Sequence, residues 1–121
     1  METWEFEFEW LRVRHLVKKI FKKDTLPDLN AILFLVGIQE LGRWSKEYTK
    51  EEKQDLMHIA VCRLLSYDGH YNFAGRDADG WPHWTLVKKI PVRGVKEQEQ
   101  LLKEKIICYF KELEEENGGL E

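Results

Sequence analysis

The chain has 121 residues, enough for one domain with a real core and too few for two ordinary ones. Hydrophobic residues at 43% and charged residues at 34% exclude a disordered chain. A net charge of -3 gives no global attraction to nucleic acid or to anionic membranes, so any anion binding would have to be local.

Residues Thr3 to Lys23 carry two overlapping patterns. Trp4, Phe6, Phe8 and Trp10 alternate with Glu5, Glu7 and Glu9 as in a strand. Phe6, Trp10, Val13, Val17 and Ile20 also recur at helical spacing, and Trp4, Phe8 and Leu11 repeat that step on a second face, with His15 beside them. Charge decides for helix: Glu2, Glu5, Glu7 and Glu9 lie in the first turns and Arg12, Arg14, Lys18, Lys19, Lys22 and Lys23 follow, which complements the helix dipole. With two apolar faces, this helix is expected to be sandwiched or to pair with a second subunit, which makes a homodimer through it an expectation. A membrane-surface role for its basic end is the lesser reading, because the same pattern is met more often as an ordinary packed helix with a solvated lysine edge.

Thr25-Leu26-Pro27-Asp28 reads as a helix start, with Thr25 as cap and Pro27 in the first turn. The helix is expected to run to about Gly42 and to be buried on nearly every side by Leu29, Ile32, Leu33, Phe34, Leu35, Val36, Ile38 and Leu41. Its apolar run, Ala31 to Ile38, is too short to cross a bilayer. Glu40 shares the azimuth of Leu29, Leu33 and Val36, so it either joins His58 in a site, reaches solvent, or pairs with Arg43 or Arg63. Trp44 to Tyr48 forms a connector.

Thr49 with Glu52 three residues on is a capping box that starts a third helix, ending near Ser66. Met57, Val61, Leu64 and Leu65 form its apolar arc, with His58, Ile59 and Cys62 along the edge and Asp55 one turn from His58. Tyr67-Asp68-Gly69 marks a turn. His70 to Phe73 and Trp84 to Val87 have strand composition around a turn-rich Gly75 to Gly80, so a small hairpin or a long loop is expected. Asp77-Ala78-Asp79-Gly80 matches a calcium loop only in part, lacking a third alternate ligand and the closing glutamate. In Gly80-Trp81-Pro82-His83-Trp84, proline holds two indoles around a histidine on a stiff segment, which suits either a pocket wall or a cover for the core.

Lys88, Lys89, Arg93 and Lys96 make a basic linker without any nucleic-acid-binding signature. A last helix is expected from near Glu97 to about Glu116, with Leu102, Ile106, Tyr109, Phe110 and Leu113 on its apolar face and Cys108 packed beside that face. The expected fold is thus mainly α: four principal helices in a bundle-like single domain over residues 1–117, with the hairpin or loop between the third and fourth. Residues 118–121 read as a frayed tail, and Leu120-Glu121 has the form of a cloning remnant ahead of an affinity tag.

Two cysteines, Cys62 and Cys108, do not make a disulfide framework, and the acidic start is unlike a secretory leader, so reduced thiols in the cytoplasm are expected. No phosphate loop, serine elbow or paired Cys-x-x-Cys is present. The leading reading is a small non-catalytic binding or assembly protein, without a cofactor, that meets a protein partner through Trp81, His83 and Trp84. The alternative is a metal-dependent or small-molecule enzyme in which Glu40, Asp55, His58, Cys62 and His83 hold a transition metal such as zinc.

Overall fold

In the computed structural model, which describes residues 3–116, the chain is mainly α, with four helices and a two-stranded antiparallel hairpin between the third and the fourth. The expected tail at 118–121, with Leu120-Glu121, lies outside the described residues, as does Glu2. The elements are α1 (Thr3–Ile20), α2 (Leu29–Leu41), α3 (Lys50–Leu65), a short 3-10 turn (Ser66–Asp68), β1 (Tyr71–Arg76), β2 (Pro82–Leu86) and α4 (Gly94–Glu116). Among the described residues no helix is long and apolar enough to cross a membrane. The chain divides into two compact units, Met1–Ile32 with Arg93–Glu121, and Leu33–Val92.

In the first unit α1 resolves its two competing patterns as a helix. Phe6, Trp10, Val13 and Val17 are buried at the spacing read from the sequence, and Trp4, Phe8 and Leu11 are exposed on the opposite face. Arg12 bridges Glu9 on its own helix and Glu114 on α4, at 3.1 and 3.2 Å. Lys103 of α4 sits over the Trp10 ring, its ammonium 5.4 Å from the centroid. The α4 helix buries Leu102, Ile106, Ile107, Tyr109 and Phe110, while Cys108 is exposed, a correction to its expected packing beside the apolar face. The start of α4 at Gly94 is three residues earlier than expected, because the Glu97 carboxylate reaches back to accept from the Arg93 backbone N–H at 2.7 Å.

Asp28 rather than Thr25 begins α2. Its Oδ1 accepts from the Ala31 backbone N–H at 2.9 Å, so the aspartate is the cap and Pro27 precedes the helix.

In the second unit α3 opens with the full capping box: Thr49 Oγ1 accepts from Glu52 N–H at 3.1 Å and Glu52 Oε1 accepts from Thr49 N–H at 2.9 Å. The buried face is Leu56, Ile59, Ala60, Cys62, Leu64 and Leu65. Met57 and Val61, expected at the centre of the apolar arc, are only half-buried. The burial centre has rotated because α2 approaches along Leu56: a Cβ on Gly37 would stand 3.0 Å from Leu56 Cα and closer still to its carbonyl. Glycine is the residue that permits this backbone contact.

The hairpin pairs Tyr71 with Leu86, Phe73 with Trp84 and Arg76 with Pro82, with a bulge at Ala74 between Phe73 and Gly75. Its strands lie nearer the turn than the expected segments. The turn is confined to Asp77–Gly80, where Gly80 N–H donates to Asp77 O and Asp77 N–H to Trp81 O, each at 3.0 Å. His70 falls outside the ladder and closes its base: its carbonyl accepts from Val87 N–H at 2.9 Å, and its ring Nδ1 bonds Lys88 O at 3.2 Å. Arg76 ties the hairpin to the end of α2 by donating to the carbonyls of Glu40 and Leu41 at 2.7 and 3.2 Å, groups a helix C-terminus leaves unpaired.

Gly37→Ala is expected to cost roughly 3 kcal/mol, at the upper end of overpacking penalties, because backbone rather than a movable side chain occupies the space. Thr49→Ala should cost about 1 kcal/mol through loss of the cap. Urea unfolding of the two variants checks this order, and equal losses would contradict the close approach as the tighter constraint.

Candidate functional site

The third helix and the hairpin enclose an open pocket of about 290 Å³ in the second unit, lined by Asp55, His58, Ile59 and Cys62 from α3 and by Asp77, Trp81, Pro82, His83 and Trp84 from the hairpin. It forms because Asp55, His58 and Cys62 recur at three and four residues and so share one side of the helix, while Pro82 holds the Trp81 to Trp84 run extended across it. Asp55 and His58 are exposed and Cys62 is buried. Both Trp81 and Trp84 are half-buried.

Of the residues singled out in the sequence, Trp81, His83 and Trp84 lie together on this wall, and Asp55, His58 and Cys62 face them. Glu40 is elsewhere, its Oε1 3.6 Å from Arg63 Nε, which is the pairing that suits a partly buried carboxylate. His70 is buried beneath the hairpin base. Among the described residues no three His, Cys, Asp or Glu side chains come together closely enough to hold a metal ion. The residues proposed for zinc thus share a cavity, Glu40 excepted, without converging on one point. Asp77, part of the incomplete calcium-loop pattern, has a structural role instead.

Asp77 organises the hairpin end. Oδ1 accepts from the backbone N–H groups of Asp79 and Trp81 at 2.9 and 3.0 Å, and Oδ2 lies 2.9 Å from His83 Nε2. The hydrogen bond from His83, then that from Trp81 N–H, holds its carboxyl below the usual aspartate range, so it carries a negative charge at neutral pH. Aspartate beside a Gly-containing turn was legible in the sequence, and the missing signal was that His83, six residues on, returns across the hairpin.

Cys62 has the opposite electrostatics. Its Sγ is 3.5 Å from His58 Nε2, an arrangement that on distance alone could suggest a thiolate and imidazolium pair. Burial pushes the thiol up to about 11, partly offset by a hydrogen bond from Tyr71. Burial and the neighbouring sulfur likewise raise the Tyr71 phenol. The ring of His58 meets that of Tyr71 edge-on, with centroids 6.4 Å apart. Cys62 is therefore a protonated packing thiol at neutral pH and is not an activated nucleophile.

Trp84 packs edge-on to Phe73, centroids 5.3 Å apart, and its indole N–H is buried without an acceptor among the described residues. A lone buried donor costs on the order of 1–3 kcal/mol. Trp84 therefore holds its place through ring packing.

In the folded protein at pH 8, alkylating reagents should modify exposed Cys108 and leave Cys62 until unfolding, as peptide mapping would show. A raised folded-state pKa means that the Cys62 contribution to stability is complete below the ordinary thiol value of 9.0 and is lost as pH rises toward about 11. Cys62→Ala should flatten that part of the stability profile, and an unchanged slope would contradict the assignment.

No protein-family model matches the chain, and neither a curated protein nor a solved structure shows significant similarity to it.

Proposed function

We propose that the protein is a non-catalytic binding module whose pocket between α3 and the hairpin takes a cationic group, such as the lysine or arginine side chain of a protein partner. The observation that carries this reading is the composition of the wall: carboxylates from Asp55 and Asp77 beside the indoles of Trp81 and Trp84, with no lysine or arginine among the lining residues. Carboxylates supply charge, and indole faces attract cations through the ring quadrupole. Asp77 is held ionised by its own hydrogen bonds, so its charge is fixed before a ligand arrives.

The pocket volume, about 290 Å³, suits the end of one long side chain better than a whole drug-sized molecule. Specificity would then come from residues flanking that side chain, as in a protein partner. The protonated thiol of Cys62 and the scattered ligand set weigh against the enzyme alternative. We place the module in the cytoplasm, where free Cys62 and Cys108 stay reduced.

Titration with a short lysine- and arginine-containing peptide, followed by tryptophan fluorescence, is expected to change the signal, and an acidic peptide should not. Asp55→Asn removes one wall charge without touching the turn and should weaken binding roughly tenfold, the scale of one charge-assisted contact. Equal binding of the acidic peptide, or full affinity in both Asp55→Asn and Trp84→Ala, would overturn the reading.

A further inference from the structure

The outer face of α1 has no role in the pocket, and its composition is unusual. Trp4, Phe8 and Leu11 are 70%, 62% and 45% exposed and run along one stripe, with His15 continuing it. The stripe lies opposite the buried face of Phe6, Trp10, Val13 and Val17, so burial of one face leaves the other uncovered. Large apolar groups in a contiguous row mark an interaction surface more often than scattered ones do.

Charge identifies what fits there. At about 100° per residue, Glu7 and Lys18 flank the stripe on one side and Glu5 and Lys19 on the other. On each flank the glutamate lies toward the N-terminus and the lysine toward the C-terminus, and Arg12, which falls between Glu5 and Lys19, is already held by Glu9 and Glu114. A second copy laid parallel would set glutamate on glutamate and lysine on lysine. Laid antiparallel across a two-fold axis beside Leu11, it sets Glu5 against Lys19 of the partner subunit and Glu7 against Lys18 of the partner subunit, with the two helix dipoles opposed.

We infer that this face is a self-complementary interface through which two copies of the chain pair by antiparallel α1 helices. Leu11 meets its own copy at the axis, and Phe8 and Trp4 cover the two ends. Eighteen helical residues span about 27 Å, and a single helix pair of that length falls near the low end of stable interface sizes, so association should depend on concentration. The surface is separate from the pocket, and its test does not involve the cationic ligand.

Sedimentation of the full chain from about 5 to 500 micromolar is the experiment, with circular dichroism as a check on folding. A monomer and dimer equilibrium is expected, weakened at least tenfold by Leu11→Glu, a change on the exposed face that should leave the helical spectrum intact. Glu5→Lys with Glu7→Lys should also weaken it, as should Lys18→Glu with Lys19→Glu, and an equimolar mixture of these two variants should recover association. A monomer throughout the range would overturn the inference, as would a dimer indifferent to Leu11→Glu. Charge reversals that leave association unchanged would reject the antiparallel arrangement, and so would a monomer whose stripe instead binds anionic vesicles.

Discussion

The backbone contact between Gly37 and Leu56 is the constraint on which the second unit depends. Because glycine has no Cβ, α2 can come within reach of the Leu56 carbonyl, and that contact decides which face of α3 turns inward. Leu56 and Ala60 are fully buried while Met57 and Val61 are only partly so. With α3 set in this rotation, Asp55, His58 and Cys62 face the hairpin. Arg76 then fixes the hairpin to the carbonyls at the end of α2. Each fully buried aliphatic side chain contributes on the order of 1.5–3 kcal/mol, against at most about 1 kcal/mol for the partly exposed Glu40–Arg63 pair. Packing therefore sets the geometry, and the ion pair follows it.

Within that frame the pocket combines groups of contrasting electrostatic character. Asp77 is exposed and stabilised as an anion by a histidine and two backbone donors, whereas Cys62 is enclosed and kept neutral. The same distance that brings Cys62 to His58 would suit a nucleophile and its base if the sulfur were in a polar setting. Desolvation reverses that outcome. The result is a wall that sets an ionised carboxylate and two indoles beside a neutral thiol.

The first helix shows how one segment can carry two apolar stripes without conflict. Its inner stripe is buried and its outer stripe is exposed, with acids toward the N-terminus and lysines toward the C-terminus. The same segregation that favours the helix through its dipole also makes the outer face complementary to itself when reversed. One distribution of charge thus serves the stability of the helix and, in the proposed pairing, the orientation of the second copy.

Local chemistry was legible in the sequence where it involved neighbours in the chain. The Thr49–Glu52 capping box and the two faces of α1 depend on residues at most a few positions apart and formed as read, while the turn expected over Gly75 to Gly80 formed over the shorter Asp77–Gly80. The sequence also marked Trp81, His83 and Trp84 and the set around His58, because unusual side chains at helical or extended spacing can be placed on a face without knowing the fold. Which side of α3 is buried and whether Cys108 is covered were decided by tertiary packing, since each depends on the position of a distant segment. The pairing of Glu40 with Arg63 rather than with His58, and the state of the Cys62 thiol, depend on burial and on groups from other elements. Periodicity gives an azimuth on one helix, and only the packed structure supplies the neighbour that gives that azimuth its meaning.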